Sequence, residues 1–294
     1  ESSTIMLELY FEHRNYVPII GPFVALGLAL ARTAPGTARR LASVLAAAWL
    51  AACALTTALS ARTYSSADRL ALTWANTSPH SIRAQTFLVE RLTQHGQLRA
   101  ALDVLDRSIR QYPLNSNLAG DRVYLRCLQG TLDESDLDLL DRIFREAPFD
   151  RAGFSNMEQL RNLAAAHQCT ALTPERWWSL SEAMLANPAY AQNGVAAGFL
   201  HYQRHFLAVS EGNLPLTIAE LQAAYQNDPD AEIPRLEAKY LVSAGLYDRA
   251  IDTLQHADYR RLPQLRRLLV NDRAINAEAI ATIRQMQAKS GAGH

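Results

Sequence analysis

A chain of 294 residues with 29 basic and 29 acidic side chains has no formal net charge, so it lacks the basic footprint of a nucleic-acid binder. Apolar residues make up 49% of it, enough for membrane segments and for one large domain or repeat array besides. All the basic residues are arginine except Lys239 and Lys289, and with the abundant alanine this usage points to a GC-rich bacterial genome.

The sequence opens at Glu1 without the n-region of a signal peptide, and it reads as a piece of a longer polypeptide. Residues 1–15 read as a juxtamembrane segment. Tyr16 to Ala31 contains no charge and would span about 24 Å as a helix. Its Pro18, Gly21 and Pro22 sit in the first turns, where a helix best tolerates proline. A second uncharged run, Leu41 to Ala61, is long enough to cross a bilayer core. Between them lie Arg32, Arg39 and Arg40 and no acid. The expected organisation is a transmembrane hairpin with helices at 16–32 and 41–61 and a cytoplasmic loop at 33–40, with a re-entrant or interfacial helix as the alternative for the first. The positive-inside rule then places residues 1–15 and 62–294 on the far side, the periplasm of a bacterial inner membrane.

After residue 62 the pattern becomes polar-faced and repetitive. In Ser81–Ser116, small or apolar residues fall at Ala84, Phe87, Leu88 and Leu92, and a turn glycine follows at Gly96. A second apolar face runs through Leu98, Ala101, Leu105 and Ser108, and Pro113 closes the unit. Pro148 lies 35 residues after Pro113, and Gly245 lies 33 after Gly212. Further helix pairs are expected over 117–150, 154–190, 196–230 and 231–259, with a capping helix over 273–289. This spacing resembles the tetratricopeptide repeat, a helix–turn–helix unit of about 34 residues. The implied fold is all-α, a two-helix transmembrane hairpin followed by a tetratricopeptide-like α-solenoid over 62–294, with a non-repeating all-α domain as the competing reading. Such solenoids offer a concave face to proteins or peptides. Gly96 and Gly245 are expected at positive φ.

Glu12, His13, Arg14, Tyr16 and Pro18 precede the first apolar run. Read by themselves they make an interfacial anchor, with Arg14 near lipid phosphate and Tyr16 in the headgroup layer. The same residues resemble a step found in GT-C-type membrane glycosyltransferases with C-terminal tetratricopeptide repeats. These are similar to the transmembrane and tetratricopeptide O-mannosyltransferase-like family. Val17 and Ile19 depart from the leucine and serine of the bacterial pattern. The resemblance implies transfer of a sugar from a polyprenyl-phosphate donor to a cell-surface or secreted acceptor. Glu12, His13, Arg14 and Tyr16 would then contact carrier or substrate, while the family's catalytic acids lie in early loops absent from this sequence. A membrane-anchored scaffold for envelope or secretion assembly, and an O-antigen-ligase-like enzyme, are the rival readings. Expected partners are membrane lipid and a protein or peptide acceptor on the repeats, and no nucleic acid.

Other constellations are sparse. Cys127 and Cys169 fall near the ends of consecutive first helices, where they would pair in an oxidising compartment or remain two buried thiols. Cys53 lies in the second apolar run. There is no CxxC, HExxH or nucleophile elbow, and no metal site is expected. Phe199, Tyr202 and Phe206 form a stripe that counting back from Gly212 puts on the concave face. That frame also puts His201, Arg204 and His205 into the core. The expectation is instead that the longer third unit slips the frame, leaving the stripe as core. Of Trp177 and Trp178, one should pack inward and one should face outward. Arg260, Arg261, Arg266, Arg267 and Arg273 form a basic stretch beside Asp258 and Asp272, read as a solvated face or as a contact to anionic lipid or an acidic acceptor.

Overall fold

The computed structural model describes residues 24–25, 27–28, 32 and 36–291. Among them the secondary structure is helical, without strands. Two compact units, 1–73 and 74–294, are distinguished by their internal contacts.

In the first unit the dominant element is α1, Thr37–Tyr64. Its Arg40–Leu59 stretch has a mean hydropathy of 1.8 and is not buried by protein, and it is long and apolar enough to cross a membrane. The Thr56 and Thr57 hydroxyls both donate to the Cys53 carbonyl, so neither needs a solvent partner. The helix starts earlier than expected: Arg39 and Arg40 belong to its first turns and not to a loop ending at residue 40. It also runs past Ala61 to Tyr64. An alanine-rich helix continues readily through arginine, whose propensity is high. Most of the expected first span, including Pro18, lies outside the described residues, so the chain shows one candidate span among those described. Helix α2, Ala67–Thr77, follows across the division between the units.

The second unit is a series of helical hairpins. The pairs are α3 (Ile82–Gln94) with α4 (Leu98–Gln111), α5 (Ser116–Leu128) with α6 (Glu134–Glu146), and α7 (Arg151–Ala165) with α8 (Pro174–Ala186). After the short α9 (Pro188–Ala191) come α10 (Gly194–Ser210) with α11 (Leu214–Asn227), then α12 (Glu232–Ser243) with α13 (Tyr247–Gln255). A 3₁₀ turn at Tyr259–Arg261, the short α14 (Gln264–Leu269) and the terminal α15 (Asp272–Gly291) complete the unit.

Local chemistry explains these boundaries. The side chains of Ser81, Asn115, Asp150, Thr173, Asn193 and Asn213 each accept a backbone N–H at a helix start. Asp133 and Asp136 make a reciprocal capping box. Gly96 and Gly245 close their helices at φ of 70° and 74°, with Gln97 N donating to Leu92 O and Leu246 N to Leu241 O. After α7 no glycine is present. There His167 takes the left-handed position at φ 50°, and Gln168 N donates to Leu163 O.

First helices pack on first helices, α5 on α7 and α7 on α10, while α6 packs on α8 among the second helices. Small residues set the spacing. A Cβ on Gly153 would lie 2.0 Å from Ser116 Oγ, and one on Gly120 would lie 2.8 Å from Asn156 Nδ2. The central core runs from Val123 through Leu140, Met157 and Trp177 to Leu200. Cys127 and Cys169 meet across α5 and the loop after α7 as a disulfide with Cα atoms 5.5 Å apart. Buried Asp136 receives both Arg122 and Arg126, at 2.8 and 2.7 Å. At the far end Asp272 receives Arg235 at 2.6 Å and Arg266 at 3.1 Å, which holds α15 against the last hairpin.

Candidate functional site

Among the described residues, an open groove of about 510 Å³ combines an aromatic floor with charged residues at its edge. It lies between α7, α10 and α12, the first helices of three successive hairpins. Phe154, Phe199, Tyr202 and Leu236 supply its apolar floor. Phe154 and Phe199 meet edge to face with centroids 5.2 Å apart. Arg151 and Lys239, with Asp228, Asp230 and Glu232, supply its charged lining.

Two glycines make room for this arrangement. A Cβ on Gly198 would lie 2.6 Å from Asp228 Cβ, and one on Gly194 would lie 2.6 Å from Asn227 O. The loop from α11 to α12 can therefore lie directly on α10, which brings Asp228 and Asp230 to the rim.

The frame of α10 corrects the expected slip. Arg204 and His205 are buried, at 7% and 0% exposure, while Phe206 is 38% exposed. Counting back from Gly212 therefore holds, and the aromatic stripe is not ordinary core. Polar side chains are tolerated inside because each major charge has a partner. Arg204 Nε donates to Ser181 Oγ at 2.7 Å, its Nη1 lies 3.7 Å from Glu220 Oε1, and its guanidinium stacks over Trp178 at 4.6 Å. His201 Nδ1 is 2.6 Å from the other Glu220 oxygen. His205 contacts the Tyr202 carbonyl, and burial pushes its pKa down to about 4, leaving it neutral near pH 7. The histidine therefore behaves as a polarisable filler between Tyr202 and Phe206.

Trp177 is the inward tryptophan, fully buried, with its Nε1 donating to Met157 O at 2.9 Å. Trp178 is half-buried under Arg204. Next to the groove, Tyr190 is fully buried; its hydroxyl pairs with Ser116 Oγ at 2.9 Å and accepts from Asp150 N at 3.2 Å. A second polar cluster lies between α5 and α7, where Asn156 Nδ2 donates to Asn117 O, Asn117 Oδ1 and Asp121 Oδ1 at 3.0 to 3.1 Å. Burial, assisted by the Asp150 charge, pushes the Asp121 carboxyl up to about 7 against the opposing effect of the Asn156 hydrogen bond.

Glu12, His13, Arg14 and Tyr16 lie outside the described residues. The groove has no sequence motif: its residues are scattered from Arg151 to Lys239, and only Phe199 and Tyr202 of the aromatic stripe belong to it. Among the described residues, no group of three or more His, Cys, Asp or Glu side chains is placed to hold a metal ion. No family model matches the chain, and no curated protein matches it.

Proposed function

We propose that this chain is a membrane-anchored, tetratricopeptide-like module on the periplasmic side of a bacterial inner membrane, and that its groove holds an extended protein segment. The groove between α7, α10 and α12 carries the reading. Its aromatic floor suits side chains of an extended segment, and its mixed rim suits backbone and charged groups at either end. The repeating hairpins, the stapled cysteines and the apolar α1 support the placement.

We further propose that the bound segment is an acceptor for a sugar delivered from a polyprenyl-phosphate donor. The support for this is the resemblance of Glu12, His13, Arg14, Tyr16 and Pro18 to the glycosyltransferase step. Arg14 would grip the carrier phosphate through its forked donors, with His13 and Tyr16 beside it and Glu12 orienting it. A scaffold that only recruits its client uses the same groove without transfer.

The test has two stages. Membrane-embedded protein is titrated with an extended-peptide library, and Phe199→Glu should weaken binding of the selected peptides at least about tenfold, equivalent to about 1.4 kcal/mol. Unchanged binding would remove the groove assignment. The selected peptides are then offered with a polyprenyl-phosphate sugar, and a mass increase on the peptide is sought. Binding without transfer would retain the scaffold and discard the enzyme.

A further inference from the structure

The segment between the last hairpin and α15 is pinned on one side and bare on the other. Leu262 is buried at 3% exposure. Arg266 donates to Asp272 and Glu232 at 3.1 Å, and Arg261 Nη2 donates to Gln226 O at 2.6 Å. These anchors fix α14 with its leucines outward. Leu265, Leu268 and Leu269, at i, i+3 and i+4, are 69%, 75% and 75% exposed. Arg260, Arg267 and Arg273 surround them, all exposed. The Arg260 side chain is 90% exposed, with Asp258 3.6 Å from its Nε. Arg260, Arg267, Leu268 and Arg273 border a shallow depression of about 510 Å³.

We propose that this face docks on an anionic phospholipid surface, with the three leucines at the acyl boundary and Arg260, Arg267 and Arg273 among the headgroup phosphates. Apolar side chains ringed by arginine match the two layers of a leaflet, apolar below and anionic above. Tyr259 lines the same depression and is an aromatic of the kind found in the interfacial layer, while three leucines on one short helix are few for a specific protein interface. The cluster suits a membrane surface instead, and the same chain carries the candidate span Arg40–Leu59. Arg266 and Arg261 are excluded from the headgroup role because their partners already hold them.

The full chain is placed in nanodiscs carrying Leu268→Trp, and its emission is compared in bilayers with and without brominated acyl chains. The parent protein in the same bilayers supplies the native-tryptophan background. With about a third phosphatidylglycerol, bromination should lower the new indole's emission roughly twofold or more, and in pure phosphatidylcholine it should not. The triple variant R260Q/R267Q/R273Q should abolish the loss in anionic bilayers. Leu265→Trp gives a second reporter if the first perturbs helicity. No bromine-dependent loss at either position, or equal loss in neutral bilayers, overturns the proposal. So does burial of the indole that rises with protein concentration in both bilayers, which assigns the face to a second copy. The groove variant Phe199→Glu should quench normally, so this result and the peptide result stand apart.

Discussion

The guanidinium of Arg204 lies 4.6 Å above the ring of Trp178 while its Nε donates to Ser181, so one buried cation joins α10 to both an aromatic face and a hydroxyl of α8. Glu220 on α11 completes the arrangement and also faces His201. Replacing Arg204 by alanine leaves Glu220 buried with one partner and empties the space above Trp178. Urea denaturation of the nanodisc-embedded protein should show a loss of about 3 kcal/mol. Arg204→Lys should recover little, because an ammonium neither stacks flat nor forks. A near-neutral alanine variant would show that the network contributes no net stability.

Asp121 gives a pH dependence of known sign. Its folded pKa is about 7 against an ordinary 3.8, so the folded state holds a proton that the unfolded chain releases earlier. Stability attributable to this group is intact below about pH 4 and lost as pH rises to about 7. His205 acts oppositely, since its pKa is lowered to about 4 and protonation between about 6.5 and 4 favours the unfolded chain. The difference between parent and Asp121→Asn isolates the first effect. The variant should match the parent at pH 4 and exceed it by a few kcal/mol at pH 8. Parallel stability curves would show that Asp121 titrates normally.

The Cys127–Cys169 bridge closes 42 residues of sequence separation. By chain entropy it should contribute about 4 kcal/mol. Reductant, or the double alanine variant, should lower the melting temperature of the second unit by about 8–15 °C. The variant should then be indifferent to reductant. A parent insensitive to reductant would mean that the thiols do not pair.

Gly96 and Gly245 occupy left-handed turns with open space around the missing Cβ. Valine at either site should cost on the order of 1 kcal/mol or more through backbone strain alone. Alanine should cost less. Equal, negligible costs in a denaturation series would contradict the turn geometry.

The proposed orientation rests on Arg32, Arg39 and Arg40. A periplasm-dependent reporter fused at Gly36 should be silent, and one fused after Arg62 should be active. The reverse pattern would place the hairpin array in the cytoplasm and remove the far-side reading.

The helix ends at turn glycines were legible because single residues decide them. Gly96 and Gly245 each act on backbone groups within a few positions and sit at positive φ as expected, whereas the caps Ser81, Asn115 and Asp133 emerge only from the structure. The third hairpin was harder to read, since His167 replaces the turn glycine and Asn187 nucleates the extra α9. The polar interior of α10 is not legible in the sequence, for a physical reason. Burying Arg204 is costly in general, and only Trp178, Ser181 and Glu220, on two other helices, make it tolerable. The groove was invisible for a similar reason: Phe154, Phe199 and Leu236 come together only after three hairpins dock.

The bridge between Cys127 and Cys169 has a consequence for how the chain matures. The two sulfurs meet only after α5 and α7 have settled at the spacing that Gly120 and Gly153 permit. Oxidation is therefore a record of correct docking, made after the hairpins find their register. A chain whose second and third hairpins mispair keeps two free thiols, which in an oxidising compartment would mark an unfinished molecule apart from a finished one.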